Sequence, residues 1–194
     1  MNFSRLTQTL RLWTIPGAVK RAEYLRKKNI FASYGTKCSY MDRRVPLYAK
    51  LIKIGDNVHF ASHVTFLTHD VAHMMLNRMY DKKIAKEKIG CIEIGNNVFI
   101  GSNTTILYDV KIGNNVIIGA GSLINKDVPN NSIMGGVPAK VIGRFEDFMN
   151  KRILDNRQFN DSDLNPDGET VSKELEEICW RYFYNTRNEN DSRK

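Results

Sequence analysis

The four histidines of the chain lie close together, between positions 59 and 73. An imidazole has an ordinary pKa of about 6.5, so near neutral pH it can take the proton of a hydroxyl group that attacks an electrophile. This segment is therefore the first place to look for general-base chemistry. Its candidate residues are His59, His63, His69 and His73.

Two chemical uses compete for His69 and His73, which are four residues apart. That spacing suits two zinc ligands on one helix, but no HExxH motif accompanies it and a third ligand would have to come from elsewhere. His69 stands where a regular repeat gives way to a loop, so we interpret it as the general base and expect no metal site. His59 and His63 fall outside the apolar columns of that repeat, which predicts that they face solvent or an acceptor molecule.

The repeat has a period of six residues and is regular between residues 92 and 129. Such a period fits neither an α-helix nor a strand that continues without turning, but it fits a short strand followed by a turn. Gly-Asn-Asn groups at 95–97 and 113–115 supply turn residues that tolerate a positive φ. We therefore expect parallel strands stacked in successive coils, which is an all-β solenoid. One apolar column holds Ile94, Ile100, Ile106, Ile112, Ile118 and Ile124, and a second holds Val98, Thr104, Val110, Val116, Ser122 and Val128.

The same phase is present upstream but is interrupted. Ile54, Phe60 and Phe66 follow it, and residues 34–40 are interpreted as a degenerate first coil. From Phe66 to the next regular isoleucine is 28 residues, which is not a multiple of six. We therefore predict an inserted segment, at about residues 70–91, that leaves the solenoid and contains a short helix.

Helical extensions are predicted at both ends of the solenoid. Residues 1–33 form the N-terminal extension, 34–144 the solenoid domain, and 145–194 a C-terminal extension with a linker at 158–170 and a frayed end at 188–194. A basic run in the N-terminal extension is predicted to face solvent, with attraction to an anionic membrane or polymer as the alternative. The apolar residues behind the two helix predictions are Leu6, Leu10, Trp13, Val171, Leu175, Ile178 and Tyr182.

Composition narrows the class of protein. At 194 residues and 42% hydrophobic, the chain can bury one main core, and it has no apolar run of about 18 residues that would span a membrane. Arg5, Arg11 and Pro16 interrupt any signal peptide, and three cysteines without a CxxC pair suit a reducing compartment, so a cytoplasmic location is expected. The net charge of +8 favours anionic partners, but its charges are scattered and no nucleic-acid-binding motif accompanies them. Acidic sugars or phosphorylated small molecules fit that charge.

Together the motifs resemble the hexapeptide-repeat acyltransferases over about residues 50 to 145. That family folds as a left-handed parallel β-helix, and the left-handed sense is implied by the resemblance alone. The chain is similar to its galactoside and maltose acetyltransferase branch, and more similar to the O-acetyltransferases of bacterial capsule and O-antigen gene clusters. The motifs that carry the resemblance are IGDNVHFASHVTFLTHD, IEIGNNVFIGSNTTIL, IGNNVIIGAGSLINKDVP and GGVPAKVIG, with RAEYLRKKNIF and VPLYAKLIKIGDNV upstream.

The resemblance implies a reaction and the residues that serve it. Acetyl-CoA would be the co-substrate and a sugar hydroxyl of a surface polysaccharide or its precursor the acceptor, with His69 as general base and the backbone N–H of Ser102 as oxyanion donor. Asp70, His73 and His63 are expected at the acceptor. Asp70 replaces the proline that follows the histidine in the galactoside and maltose enzymes, which leaves open what orients His69. By the same resemblance, a cluster of three cations near the end of the solenoid is expected at the phosphates of coenzyme A. The residues expected to contact coenzyme A are Phe99, Ser102, Ala120 and Gly121, with Lys126, Lys140 and Arg144 as the cations.

The resemblance also implies an assembly. Its members are typically homotrimers with active sites between subunits, where the inserted segment would cover the acceptor. A cytoplasmic bacterial protein follows, with or without peripheral attachment to the inner membrane, and neither nucleic acid nor membrane insertion is expected. Three alternatives remain open: an N-acetyltransferase of an amino-sugar nucleotide, a metalloenzyme resembling γ-class carbonic anhydrases, and a solenoid that acts only as a scaffold.

Overall fold

The computed structural model describes residues 3–156 and 171–191. The predicted linker at 158–170 and the last three residues lie outside the described residues. The chain divides into two compact units, Met1–Phe148 and Met149–Lys194. Every strand of the described residues lies in the first unit.

The coils of the first unit are built from three sheets whose strands are parallel apart from the last strand of the second sheet, and the chain passes through the three in turn. The first sheet has the order β1-β3-β8-β11, the second β15-β14-β12-β9-β4-β2, and the third β13-β10-β5. Each circuit of the three sheets forms one coil of the predicted solenoid. The strands are β1 (Ser33–Tyr34), β2 (Ser39–Tyr40), β3 (Ile52–Ile54), β4 (Val58–Phe60), β5 (Thr65–Leu67), β6 (His69–Asp70), β7 (Lys88–Ile89), β8 (Ile92–Ile94), β9 (Val98–Ile100), β10 (Thr105–Leu107), β11 (Val110–Ile112), β12 (Val116–Ile118), β13 (Leu123–Ile124), β14 (Ser132–Gly135) and β15 (Lys140–Arg144).

Register confirms the six-residue period and its interruption. Across the regular coils, paired residues are 18 positions apart, as Val98 and Val116 are, which makes three hexads per coil. Across the interruption, Val58 pairs with Val98, so the partners are 40 positions apart. The degenerate first coil is also present, because Ser39 pairs in parallel with His59. Only an insertion that leaves the coil allows both spacings in one continuous stack.

Two kinds of side chain fill the interior. Isoleucines of the repeat are fully buried along the regular coils, and each contributes roughly 1.5–3 kcal/mol of hydrophobic stabilisation. Towards the N-terminal end the column becomes aromatic: the Phe60 ring contacts Tyr40 and Phe66 edge-on, at centroid distances of 5.6 and 5.5 Å. The ring of Phe31 lies at the same end, and its centroid is 6.3 Å from that of Tyr40 and 6.5 Å from that of Phe66. The two early phenylalanines therefore occupy the isoleucine column, as their phase predicts.

Asparagine and glycine have separate tasks at the corner between the first and second sheets, which we call the first corner. The second asparagine of each group has the positive φ, 57° at Asn97 and 54° at Asn115. A Cβ on Gly95 would lie 2.7 Å from the carbonyl oxygen of Gly113 in the next coil. The glycine is thus required by the close approach of two backbones. The asparagine side chains form a ladder from coil to coil, through Asn57, Asn97, Asn115 and Asn131, with N···O distances of 2.8–2.9 Å.

The inserted segment departs from the corner between the third and first sheets, the third corner. Its ends pair as the antiparallel strands β6 and β7, with His69 opposite Ile89. Between them lies helix α3 (Ala72–Met79), which confirms the predicted short helix. None of its residues is buried, and the apolar residues behind the prediction, Val71, Met75 and Met79, are all exposed.

Helices α1 (Phe3–Thr14) and α2 (Ala18–Lys27) precede the solenoid. The predicted apolar stripe of α1 is exposed, and Leu12 is its buried residue, so the helix packs through a different face from the one expected. At the other end, β15 pairs antiparallel with β14 and ends the parallel stack. Helices α4 (Phe145–Asn156) and α5 (Lys173–Asp191) follow, the latter where a C-terminal helix was predicted. No helix in the described ranges combines the length and apolar character that a membrane crossing needs.

Candidate active site

His69 lies at the third corner, where β5 ends and the inserted segment begins. The preceding residue, Thr68, is buried and its hydroxyl donates a 3.0 Å bond to the carbonyl of Leu47. This bond brings Tyr48 to the histidine, with its ring edge-on to the imidazole at 5.2 Å. Tyr48 adopts a left-handed backbone conformation with φ 52°, which is uncommon for an aromatic residue. Such a conformation persists only when surrounding contacts hold it, so Tyr48 is a positioned neighbour of His69.

Neither His69 nor His73 has a partner for its Nδ1 atom among the described residues, although both atoms are buried. A buried polar atom without a partner costs free energy, so each of these nitrogens is a hydrogen-bonding group that the described residues leave unsatisfied. The two imidazoles therefore offer unused hydrogen-bonding capacity at one place. His59 differs, because its ring nitrogens lie 2.9 Å from Ser39 Oγ and 3.0 Å from Asn57 Oδ1. His59 points outward from β4, as its place outside the apolar columns predicts, but it is half-buried and both of its ring nitrogens have partners.

Asp70 is bound to residues other than His69. Its Oδ2 accepts a 2.6 Å hydrogen bond from the Tyr108 hydroxyl, and its Oδ1 accepts a 3.0 Å bond from the backbone N–H of Ala72. The two bonds lower the pKa of Asp70 below its ordinary value, and the carboxylate raises that of Tyr108. Asp70 thus holds the start of α3 to the next coil, which answers what its side chain does at this corner.

The return strand of the inserted segment is held at the same place. Lys88 donates a 2.6 Å bond to Asp109 and lies 5.4 Å from the centre of the Tyr108 ring. Further out, the Tyr48 hydroxyl donates weakly to Glu87, at 3.3 Å. Sequence reasoning missed these residues. An aromatic residue in a turn of the repeat was the only signal for Tyr108, and Tyr48 was marked only by its place in an upstream motif.

Ser102 lies at another place, the corner between the second and third sheets, which we call the second corner. The N–H of Gly121 donates a 2.8 Å bond to the Ser102 carbonyl, so Ala120 and Gly121 lie one coil above it. Phe99 is 46% exposed on the outer face of the second sheet, between His59 and Ile117 in register. The structure therefore brings together these four of the predicted coenzyme A contacts, along one edge.

The three predicted phosphate-binding cations do not form a cluster in one chain. Lys126 follows β13 at the third corner, whereas β15 places Lys140 opposite Gly135 and Arg144 opposite Ser132, at opposite ends of β14. Lys140 therefore lies at the second corner and Arg144 at the first. The sequence places all three near the last coil, but a coil has three corners, and this separation corrects the expected cluster.

The same separation divides the acceptor and catalytic residues. His63 lies at the second corner one coil below Ser102, because Asn103 N–H donates to the Ser62 carbonyl at 3.0 Å. His69, Asp70 and His73 lie at the third corner. One strand joins the two corners, and at about 3.3 Å per residue it holds them roughly 15 Å apart. A single chain therefore does not bring His69 to Ser102.

Within the described ranges, no three His, Cys, Asp or Glu side chains lie close enough to hold a metal ion together.

The six-residue repeat matches that of a known protein family. Residues 91–126 match the family model described as bacterial transferase hexapeptide, with six repeats. Residues 91–126 therefore carry the hexapeptide repeat of this family. Its matched residues are those of the two regular coils, between the inserted segment and the final turn.

Relatives and solved structures agree with this assignment. The chain is 50% identical to protein CapG of Staphylococcus aureus over 109 residues, covering 56% of this chain and 61% of that one. It is 42% identical to galactoside O-acetyltransferase of Escherichia coli over 98 residues, covering 50% and 45%. The chain thus spans about half to three-fifths of the curated relatives it matches. A hexapeptide-repeat acetyltransferase of Vibrio cholerae, solved with acetyl coenzyme A, has the same fold, with a TM-score of 0.53 over 73% of this chain and 87% of that one at 23% identity.

Proposed function

We propose that the hexapeptide domain transfers an acetyl group from acetyl-CoA to a sugar hydroxyl of a bacterial capsule or O-antigen polysaccharide, or of its precursor. Similarity to galactoside O-acetyltransferase supports the reaction, and similarity to CapG supports the capsule as the acceptor. The solved acetyl coenzyme A complex of the same fold supports the donor. The proposal includes a left-handed path for the coils, a cytoplasmic location and a homotrimer.

In the proposed reaction His69 is the general base. The acceptor hydroxyl approaches the imidazole, His69 takes its proton, and the oxygen attacks the thioester carbonyl. The resulting oxyanion accepts a bond from the backbone N–H of Ser102, which is fixed in its turn and needs no reorganisation. Coenzyme A leaves as the carbonyl re-forms, and the proton held by His69 goes to its sulfur. Transfer is direct, without an acyl-enzyme.

The observation that carries the proposal is the placement of His69 and Ser102 at different corners. In a trimer, the third corner of one chain can face the second corner of its neighbour. His69, Asp70, His73 and Lys126 would then come from one chain, and Phe99, Ser102, Ala120, Gly121, His63 and Lys140 from the next. This arrangement collects in one cleft the residues that a single chain separates, and the inserted segment of the first chain would cover the acceptor.

One experiment tests the reaction. The protein is incubated with labelled acetyl-CoA and a panel of bacterial glycans, release of the free thiol is followed, and any new ester is located by mass spectrometry and NMR. We expect one glycan to be esterified, and His69→Ala to lose most turnover while its oligomeric state and coenzyme A binding are kept. An active His69→Ala variant would rule out the mechanism, and label on an amine would indicate N-acetylation instead.

A further inference from the structure

A basic cleft of about 550 Å³ opens beside helix α1 at the second corner. Trp13, Arg43, Arg44 and His63 line it, and Arg21 forms part of its wall. Because His63 lies one coil below Ser102, the cleft lies on the same edge as the proposed oxyanion donor. Neighbouring strands are about 4.8 Å apart, so the cleft begins within roughly 5–10 Å of that donor along the solenoid.

Arg21 supplies a buried positive charge that no carboxylate neutralises directly. It is 3% exposed, and its guanidinium donates to the backbone carbonyls of Tyr40, Ile15 and Met41 at 2.9, 3.1 and 3.3 Å. Burial and the nearby Arg43 lower its pKa, but an arginine remains charged in proteins. Its partners are the neutral carbonyls and the Met41 sulfur, and Asp42 is the carboxylate that attracts it. A buried cation with so little opposite charge nearby is incompletely compensated, so it favours an anion in the adjoining cleft.

The exposed wall of the cleft adds more positive charge than negative. Asp42 is the one carboxylate among the described lining residues, and its Oδ1 already accepts the backbone N–H groups of Arg43 and Arg44 at 2.6 and 3.1 Å. Arg44 reaches the same oxygen only at 3.5 Å. Three guanidinium groups thus face one carboxylate, an excess of two positive charges in the lining.

Arg43 is the best-placed donor to an incoming anion. Its guanidinium carbon lies over the Trp13 ring, 5.2 Å from the ring centre, a cation–π contact that restrains the side chain beside the cleft. It has no carboxylate within 4 Å among the described residues. Trp13 is 59% exposed, so the ring also offers apolar surface to a ligand such as a sugar. A planar fork of donors beside an aromatic ring suits a carboxylate or phosphate carried by a carbohydrate.

We propose that this cleft binds the oxyanion of an acidic acceptor, the carboxylate of a uronic acid or the phosphate of a sugar phosphate. The inference rests on the proposed function, since it assigns the cleft to the acceptor of that reaction. Arg43 and Arg44 bind the anion, Arg21 contributes its charge from behind, and Trp13 contacts the sugar ring. The reacting hydroxyl then lies towards Ser102, a short distance along the same edge.

Isothermal titration calorimetry with glucuronate, glucose 1-phosphate and glucose tests this inference without requiring catalysis. We expect at least one of the two anions to bind about tenfold more tightly than glucose, and the tighter one identifies the carboxylate or the phosphate. Arg43→Ala should weaken that binding about tenfold and Arg43→Gln similarly, whereas Lys53→Ala, which removes an exposed cation from the first sheet, should leave it unchanged. Melting curves confirm that the variants are folded.

The result separates the inference from the proposed reaction. Equal affinity for all three sugars, or binding that Arg43→Ala and Arg43→Gln leave unchanged, would overturn the anion site even if a neutral glycan were acetylated. Selective anion binding that Arg43→Ala weakens about tenfold would support the site even if no acetyl transfer occurred. His69→Ala should bind the anion normally, because in the proposed reaction its imidazole meets the reacting hydroxyl and the anionic group is held by Arg43 and Arg44.

Discussion

The hydroxyl of Tyr108 lies 2.6 Å from Oδ2 of Asp70, and this bond fastens the inserted segment to the coil that follows it. Asp70 also accepts a hydrogen bond from the N–H of Ala72, so one carboxylate connects Tyr108 of the next coil to the first turn of α3. No residue of α3 is classed as buried, so the helix is restrained by polar contacts such as these and those that Asn77 makes with Ile84 and Ala85. The position of His73 on α3 therefore depends on a residue of the next coil.

Replacing Tyr108 with Phe should loosen the inserted segment without disturbing the solenoid. The variant loses the donor to Asp70 but keeps the ring that lies beside Lys88. We expect faster hydrogen exchange throughout α3 and a KM for the acceptor raised roughly fivefold, because the acceptor would have to order this segment on binding. Tyr80→Phe, at the exposed end of the same helix, is the matched control. Unchanged exchange in Tyr108→Phe would show that the segment is held by other contacts.

Acid should release the same restraint. The folded state lowers the pKa of Asp70, so its contribution to stability is present above the ordinary aspartate pKa of about 3.9 and is lost as pH falls through the lower folded value. The amide proton shift of Ala72, followed by NMR between neutral and acid pH, should titrate with a midpoint below that ordinary value. Asp70→Asn should abolish the titration, since an amide does not ionise. A midpoint at or above the ordinary aspartate pKa would contradict the two bonds described here.

Glycine at the first corner should tolerate no side chain where coils approach most closely. A Cβ on Gly95 would lie 2.7 Å from the Gly113 carbonyl oxygen, so Gly95→Ala should reduce the free energy of unfolding by about 1–3 kcal/mol. Gly119→Ala is the control, because its nearest contact would be 3.4 Å away and its effect should stay below about 1 kcal/mol. Urea denaturation of both variants measures the difference. Equal stabilities would mean that the coils can separate to admit a methyl group.

The sequence predicted those parts of the fold that repeat. The isoleucine column, the aromatic substitutions at Phe60 and Phe66, and the place where the phase breaks all depend on a local period, and each is present. The predicted packing face of α1 was wrong, because amphipathicity alone does not determine which face packs. Leu12 is buried although it lies outside the predicted stripe. A period also cannot show which residues share a corner with residues of another coil.

The candidate site could be predicted only in part, because a period does not show which residues share a corner. His69 was marked by the break in the repeat, but Tyr48, which contacts it, lies about 20 residues away in sequence. Tyr108, which binds the neighbouring Asp70, lies about 40 residues away, beyond the insertion. Their spacing follows no motif. Lys126, Lys140 and Arg144 illustrate the converse, since nearness in sequence suggested a cluster that the three-sided coil separates. The sequence does not show at which of the three corners a residue lies, because that depends on the register of the whole stack of coils.

A site formed by two chains predicts complementation between inactive variants. His69→Ala removes the base at the third corner, and Ala120→Trp should block the pantetheine path at the second corner, so each protein alone should be inactive. In trimers assembled from equal amounts of both, about one site in four would combine an intact third corner with an intact second corner of the neighbouring chain. We therefore expect about a quarter of the wild-type turnover after the two are co-expressed or mixed during refolding.

The control for complementation is a chain that carries both substitutions, mixed with wild-type protein in the same ratio. A composite site then requires two neighbouring wild-type chains, so about one site in four is again intact, whereas a site contained in one chain would leave half of them active. The two mixtures differ only in how the same substitutions are distributed between chains. No recovery from the first mixture and half activity from the second would place His69 and Ala120 in one chain's site, which the roughly 15 Å between the corners argues against. About a quarter of the activity from both mixtures is the result that a site shared between chains requires.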